Sequence, residues 1–174
     1  MLRIIFEQPD VFELVHLNDL GAAESTAYLV QFDSVHGTWE HETSVDGDFV
    51  VLTDAKRAGR VVRVPYSRCK EPALLAPAYK AAGVALVLEC TGVFLTRAAL
   101  APYFDACGAR KVVVSAPVKD QLPVLNIVYG VNHAKYDPSV DHIVTAASCT
   151  TNCLAPVVKV WARLVAGLRC CPVI

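Results

Sequence analysis

The sequence predicts an α/β fold in which helices cover both faces of a parallel β-sheet. Segments with strand character alternate with segments of helical character along all 174 residues, which is the pattern of such folds. Several strand segments are almost wholly apolar, such as VALVLE from Val84, as expected for strands buried on both faces. Hydrophobic residues make up 54% of the chain and charged residues 19%, which excludes a disordered protein.

The amino-terminal half contains three helix signals and four strand signals, two of which form a hairpin. The predicted elements are, in order, a helix from Leu2, a strand at 11–19, a helix at 22–32, a hairpin turn at Asp46-Gly47, a strand at 59–66 and a helix at 71–83. Asp-Gly between apolar segments is a strong signal for a tight hairpin turn. Pro72 suits a first helical turn and Gly83 suits a helix end, whereas Pro77 lies awkwardly inside the last helix.

The carboxyl-terminal half continues the alternation. The predicted elements are a strand at 84–92, a helix at 96–108, strands at 110–117, 126–132 and 142–148, and a last helix ending at Gly167. Thr96 is expected to start the first of these helices, and Gly108 to end it. The length suits one domain, or one domain and the beginning of another.

Charge and cysteine content exclude several classes of protein. A net charge of −1 gives no field that would attract nucleic acid or an anionic membrane, and no apolar run approaches the roughly 20 residues that span a bilayer. Seven cysteines without a convincing signal peptide indicate free thiols in a reducing, cytoplasmic compartment. Neither a CxxC pair nor a histidine pair at zinc spacing is present, so no metal is expected.

Three strand ends carry polar or small residues that suit a nucleotide. Asp19 ends the second strand of a βαβ-like unit, where a carboxylate accepts hydrogen bonds from the adenine ribose and repels a 2′-phosphate. It could equally begin an ordinary turn within Asn-Asp. The CTG that ends at Gly92 and the SAP that begins at Ser115 follow apolar strands. Ligands bind at that edge of open α/β sheets, although both segments could be plain turns.

Cys149 lies at the predicted start of the last helix, within ASCTTNCLAPVVKV. Unpaired N–H groups and the helix dipole stabilise a thiolate there, and the same groups can hold an oxyanion or a phosphate oxygen. Ser148 or Thr150 could cap the helix. The alternatives are a small buried cysteine, which suits Cys153 better, and a redox pair formed by Cys149 and Cys153.

Taken together, these segments resemble the phosphorylating glyceraldehyde-3-phosphate dehydrogenases. ASCTTNCLAPVVKV is similar to the active-site signature of that family almost letter for letter. HLND, YLVQFDSVHGTW, LECTGVF, VVVSAPVKD, NIVYGVNH and YDP resemble the family in the same order, so the resemblance covers roughly residues 2–160. The wording VKDQLPVLNIVYGVN also resembles a branch that accompanies arsenate-efflux transporters and uses arsenate in place of phosphate.

The resemblance implies a mechanism and a set of site residues. Cys149 would attack the aldehyde of glyceraldehyde 3-phosphate, NAD would accept a hydride, and inorganic phosphate would cleave the thioester. Ser148 and Thr150 would hold that phosphate, and Asn152 would order the active-site turn. The cofactor-lining residues would be Asn18, Asp19, Lys70, Thr91, Gly92 and Ser115, with Lys70 in place of the usual arginine. Family members are homotetramers, so a homotetramer is implied for the full-length protein.

Two features depart from the family. The opening strand and its G-x-G-x-x-G turn are absent, which would leave a gap in the Rossmann strand order 3-2-1-4-5-6. The histidine base and the substrate-phosphate residues of the family have no counterpart. We therefore expect an incomplete NAD-binding Rossmann domain at 1–147, an active-site helix at 148–167 that opens the catalytic domain, and a divergent tail at 168–174.

Such a chain is expected to fold poorly and to have negligible dehydrogenase activity by itself. The competing interpretations are a non-catalytic nucleotide-binding or subunit-interaction relic and a thiol redox module. Thiol reactivity without dependence on NAD would favour the redox module.

Overall fold

The computed structural model describes residues 1–165 and divides the chain into two compact units. The first unit is Met1–Val84, and the second begins at Ala85. The tail expected at 168–174 and the helix stop expected at Gly167 lie outside the described residues.

The first unit is a mixed four-stranded sheet with three short helices. Its elements are α1 (Leu2–Glu7), β1 (Leu17–Asn18), α2 (Ala23–Gln31), β2 (Phe32–Asp33), β3 (Gly37–Thr38), β4 (Glu42–Asp46), β5 (Phe49–Thr53), β6 (Val61–Ser67), a 3-10 turn (Pro72–Leu75) and α3 (Ala76–Ala82). The strand order is β1-β6-β5-β4. β1 runs parallel to β6, while β4, β5 and β6 form an antiparallel meander.

Turn residues account for several of these boundaries. Gly47 has a φ of 58° in the β4–β5 hairpin, a conformation that glycine adopts without a steric penalty. Gly83 ends α3 with a φ of 64°. Pro77 is tolerated because α3 begins only at Ala76, which places this proline in the first turn.

The core of the first unit gathers around the buried side chain of Phe6 on α1. Trp39, Val50, Leu52 and Val64 are buried against it, and the Phe6 and Trp39 rings meet edge to face with centroids 5.2 Å apart. Val50 and Leu52 alternate along β5, so both side chains lie on the side that α1 covers, together with Val64 of β6.

A buried polar cluster next to this core contains Asp54. Burial raises the pKa of the Asp54 carboxyl, but the Lys56 N–H, the Arg60 guanidinium and the Arg57 N–H together lower it to about 2. The Arg60 Nη1 to Asp54 Oδ2 distance is 3.0 Å. His41 Nδ1 accepts a hydrogen bond from the Ala55 N–H at 3.1 Å.

The second unit is a four-stranded, fully parallel sheet. Its elements are β7 (Leu86–Glu89), α4 (Arg97–Asp105), β8 (Lys111–Val114), β9 (Leu125–Asn126), a 3-10 turn (His133–Lys135), β10 (Ile143–Thr145) and α5 (Cys149–Leu164). The strand order is β7-β8-β10-β9. The predicted α/β class with a parallel sheet is confirmed. The neighbours β1–β6 and β7–β8–β10 are those that the order 3-2-1-4-5-6 requires of strands two to six.

Two predicted strands are much shorter in the structure. The strand expected at 11–19 is reduced to β1, because only Leu17 and Asn18 pair with β6, at Tyr66 and Ser67. The strand expected at 126–132 stops at Asn126.

Beyond that point the chain forms a turn instead, in which the Val128 N–H donates to Asn132 Oδ1 at 2.8 Å. The Asn132 N–H donates in turn to the Val128 carbonyl at 3.1 Å. Local amide-to-backbone bonds of this kind compete with a strand ladder.

Candidate cofactor and nucleophile sites

The carboxyl ends of three neighbouring parallel strands in the second unit carry the predicted site residues. Thr91 and Gly92 follow β7, Ser115 follows β8, and Cys149 follows β10 after a short turn. The Ser115 N–H donates to the Glu89 carbonyl at 2.9 Å, which extends the β7–β8 pairing to this edge. The edge is the one at which open α/β sheets bind ligands.

The turn between β10 and α5 contains a strained residue. Ala147 has a φ of 57°, and it is the one non-glycine residue with a positive φ among those described. Such a conformation costs about 1–3 kcal/mol and persists only where its surroundings enforce it. Here the Ala147 N–H donates to Thr145 Oγ1 at 3.0 Å.

Asn152 closes the same turn from the other side. Its amide nitrogen donates to the carbonyl of Ala146 at 2.7 Å and to the carbonyl of Ser148 at 2.9 Å. This is the contact pattern that a residue ordering the turn would make. The amide lies one helical turn beyond Ser148, so the residue reaches back over the start of α5.

The first turn of α5 presents Cys149 to solvent. Ser148 is the N-cap, and its Oγ accepts from the Thr151 N–H at 3.1 Å. No acidic residue lies in the first turn. Within residues 1–165 the backbone N–H groups of Cys149 and Thr150 have no acceptor, whereas the next two N–H groups bond Ser148. Two donors at the sulfur-bearing end of the helix are therefore free.

The hydroxyls of this turn bond one another. Ser148 Oγ lies 3.0 Å from Thr150 Oγ1 and 2.7 Å from Thr151 Oγ1. Ser148 thus combines its capping role with a hydroxyl cluster at the helix start. The expectation of burial in the alternative interpretation is wrong for both cysteines, because Cys149 and Cys153 are exposed.

Glu89 belongs to this edge and was missed by the sequence analysis. It is 2% exposed at the end of β7, and its carboxylate accepts from the Thr91 N–H at 2.7 Å, from the Thr91 hydroxyl and from the Tyr103 hydroxyl at 2.6 Å. These bonds shape the loop that carries Thr91 and Gly92. The signal in the sequence was a single carboxylate closing the apolar run VALVLE.

The first unit holds the other predicted residues at the ends of β1 and β6. Asn18 is fixed by Cys69, whose N–H donates to Asn18 Oδ1 at 2.8 Å while Asn18 Nδ2 donates to the Cys69 carbonyl at 3.0 Å. Asp19 is exposed, and its Oδ1 accepts from the Gly21 N–H at 2.7 Å. Lys70 is also exposed.

The residues present fit a dinucleotide. Asp19 Oδ2 has no hydrogen-bond partner among residues 1–165, so a carboxylate oxygen is available to a pair of ribose hydroxyls. At Gly92 the φ is 72° and a Cβ would meet no atom within 4 Å, so the loop leaves open space beside its backbone. The Asn18 amide is bonded to Cys69 through both its oxygen and its nitrogen, which fixes its orientation.

One group of potential metal ligands occurs within the part of the chain that the structure describes. Glu7, Glu40 and His41 place ligand atoms within 4.8 Å of one another. Both carboxylates are already engaged, because Glu7 accepts from Trp39 Nε1 at 2.7 Å and Glu40 pairs with Lys56 at 2.5 Å. We therefore assign no metal to this group.

The parallel sheet, the acidic residue after β1 and the small polar residues after β7 and β8 define a dinucleotide-binding domain of the Rossmann type. The family model "Glyceraldehyde 3-phosphate dehydrogenase, NAD binding domain" matches residues 1–97. This chain therefore belongs to the glyceraldehyde 3-phosphate dehydrogenase family, and NAD is the cofactor of its domain.

Curated relatives agree with that assignment. The chain is similar to glyceraldehyde-3-phosphate dehydrogenase 3 of Nostoc sp., with 45% identity over 164 residues, and to the glyceraldehyde-3-phosphate dehydrogenase of Geobacillus stearothermophilus, with 42% identity over 160 residues. These alignments cover 91% and 92% of the chain but 44% of each relative. The chain thus spans less than half the length of the relatives it matches.

None of the helices within residues 1–165 combines the length and the apolar character that crossing a membrane would require.

Proposed function

We propose that the protein carrying this chain is an NAD-dependent, phosphorylating glyceraldehyde-3-phosphate dehydrogenase that acts through a thioester on Cys149. The observation that carries the proposal is the exposed Cys149 at the start of α5, next to two unpaired N–H groups and without an acidic neighbour in the first turn. Unpaired N–H groups at a helix start can hydrogen-bond the oxyanion that forms when a cysteine adds to a carbonyl group.

Cys149 performs the first step. Its thiolate adds to the aldehyde carbon, a C–S bond forms, and the carbonyl electron pair moves to the oxygen. The N–H groups of Cys149 and Thr150 are the donors available to hold that oxyanion. Donors already in place need no reorganisation when the charge develops.

In the first unit, Asp19 would accept from the adenine ribose of NAD, and Asn18 and Lys70 would also contact the cofactor. In the second unit, Thr91, Gly92 and Ser115 would contact it. When bound, NAD supplies the acceptor for the hydride that leaves the thiohemiacetal carbon. Because Asp19 carries a carboxylate, we propose a preference for NAD over NADP, whose 2′-phosphate it would repel.

Ser148 and Thr150 would receive the attacking phosphate. Attack on the thioester carbon breaks the C–S bond, returns the electron pair to the Cys149 sulfur and releases the acyl phosphate. Hydroxyl groups at a helix start suit phosphate oxygens. Arsenate has the same shape and charge type, and it is the acceptor in the branch that VKDQLPVLNIVYGVN resembles.

No base is assigned among the described histidines. None of the five histidines forms a hydrogen bond with Cys149 within residues 1–165. Loss of a positioned base lowers the rate of a proton-transfer step by about 10²–10⁴-fold.

We also propose the domain division at residues 147 and 148, a cytoplasmic location and a homotetramer for the full-length protein.

Acylation of Cys149 tests the proposal without requiring turnover. The purified chain is mixed with 1,3-bisphosphoglycerate, which reacts with a thiolate in the reverse of the last step and needs neither NAD nor a base. Peptide mass spectrometry should find the phosphoglyceroyl group on Cys149, with none on the matched control Cys153. Acylation that persists in Cys149→Ser, or that occurs on Cys153, would refute the proposed nucleophile.

A further inference from the structure

We propose that Thr145 is a positioning residue for Cys149: its buried hydroxyl holds Ala147 in the left-handed conformation that starts α5 at Cys149. The inference rests on the proposed role of Cys149 as nucleophile. Thr145 itself is four residues away from that cysteine in sequence and contributes through the turn between them.

Thr145 is built into the sheet and its hydroxyl is fully used. The residue is 1% exposed at the end of β10. Its hydroxyl donates to Asn126 Oδ1 at 2.5 Å and accepts from the Ala147 N–H at 3.0 Å. Since the proton is directed to Asn126, the oxygen lone pairs point to the Ala147 N–H and fix the hydroxyl in one orientation.

The backbone on both sides of Ala147 is held independently. The Ala146 N–H donates to the Val114 carbonyl at 2.9 Å, which keeps this residue attached to β8. The Ala146 and Ser148 carbonyls accept from Asn152. Between these anchors Ala147 adopts its φ of 57°, and the hydrogen bond to Thr145 is the contact that its own N–H makes.

The consequence falls on the first turn of α5. Ala147 is buried, Ser148 follows as the N-cap, and Cys149 is the first helical residue. If Ala147 relaxes to a negative φ, the cap and the unpaired N–H groups change direction relative to the sulfur. The nucleophilic reactivity of the sulfur then falls, because it depends on the direction of those groups.

Replacement of Thr145 by valine isolates the hydroxyl. Valine keeps the β-branched shape that suits a strand, and the backbone hydrogen bond from the Ile127 N–H to the Thr145 carbonyl, 2.8 Å, does not involve the side chain. Thr145→Ser is the conservative variant, since it keeps the hydroxyl. Asn126→Ala tests the same hydrogen bonds from the neighbouring strand β9, because it removes the amide oxygen that orients the Thr145 hydroxyl.

The measurement is the alkylation rate of Cys149 by iodoacetamide at pH 7, divided by the rate of Cys153 in the same peptide. In Thr145→Val and in Asn126→Ala we expect this ratio to fall about threefold to tenfold, as the helix-start stabilisation is lost. Thr145→Ser should stay within about twofold of the wild-type ratio, since serine keeps the hydrogen-bonding group. Adding Ala147→Gly to the valine variant should raise the ratio again, because glycine adopts a positive φ without help.

A wild-type ratio in both Thr145→Val and Asn126→Ala would overturn the inference. So would an equal loss in Thr145→Ser, which would indicate a packing effect. Global unfolding would also lower the ratio, so it is measured separately by hydrogen exchange of peptides from β8 and β10, whose protection should stay at the wild-type level in every variant.

Failure of the proposed function is recognised separately. In that case the wild-type chain is not acylated by 1,3-bisphosphoglycerate, whatever the alkylation ratios are.

Discussion

The buried carboxylate of Glu89 gives a prediction that can be worked from its contacts. Replacement by leucine introduces an apolar side chain of similar size and removes the acceptor for three hydrogen bonds, two from Thr91 and one from Tyr103. Hydrogen bonds to charged groups contribute about 1.5–3 kcal/mol each. Thr91 is exposed and can bond water instead, so most of the lost stability comes from the hydrogen bond between the buried Tyr103 hydroxyl and Glu89. We expect Glu89→Leu to lower the local unfolding free energy by about 2–4 kcal/mol.

The assay is native-state hydrogen exchange of peptides from residues 85–116, which reports opening of the β7–β8 region itself. Glu89→Gln is the matched control, because it keeps one oxygen for Thr91, and it should lose about 1 kcal/mol. Tyr103→Phe alone should be destabilising, yet its effect should shrink in the Glu89→Leu background, where the pair has become apolar. Strict additivity, or a Glu89→Leu variant within about 0.5 kcal/mol of wild type, would refute the reasoning.

Four further changes test separate parts of the structure. Asp54→Asn should be less stable than wild type above pH 5. Because folding lowers the pKa of Asp54 from about 3.9 to about 2, this difference in stability should vanish as the pH falls from 4 to 2. Urea titrations at each pH measure the free energy of unfolding of both proteins. Ser148→Ala should cost about 0.5–2 kcal/mol by removing the cap, seen as faster exchange at the start of α5, while Ser148→Asn should not. Asp19→Ala should weaken NAD binding roughly tenfold to hundredfold in calorimetry, and it should reduce the preference for NAD over NADP. An unchanged affinity for NAD would exclude the contact between Asp19 and the adenine ribose. Leu52→Ala should cost about 2–5 kcal/mol in the first unit, with Val61→Ala on the exposed face as the near-neutral control.

Much of the fold could be predicted because its signals are local. Thr96 accepts from the Ala99 N–H at 3.2 Å and begins α4 as expected, and the Asp46-Gly47 turn lies where the hairpin signal placed it. Helix caps and tight turns depend on residues a few positions apart, so a single sequence contains nearly all of their determinants.

Strand lengths could not be predicted in the same way. Residues 11–19 have strand composition, but a strand extends only as far as its neighbour pairs with it, and β6 pairs with two of these residues. The β2–β3 ribbon was missed for a different reason. Its turn depends on Asp33, whose Oδ1 accepts from the Val35 and His36 N–H groups, a side-chain turn whose sequence signal was the DSVHG segment.

The candidate site was predicted as a set of residues but not as a geometry. The positions of Cys149 and Ser148 at a helix start follow from the motif. The left-handed Ala147 does not, because alanine avoids a positive φ unless distant contacts impose it. The burial of Glu89 runs against the general exposure of glutamate, so it appears only once its donors are in place.

The helix that carries Cys149 also carries an uncovered apolar stripe. α5 has 16 residues and is therefore about 24 Å long, and Leu154, Val157, Trp161 and Leu164 are all exposed along it. Lys159 ties the middle of the helix to the Gly130 carbonyl at 2.5 Å. Within residues 1–165, the candidate nucleophile and this exposed apolar surface therefore belong to one helix, with Cys149 at its first residue and Leu164 at its last.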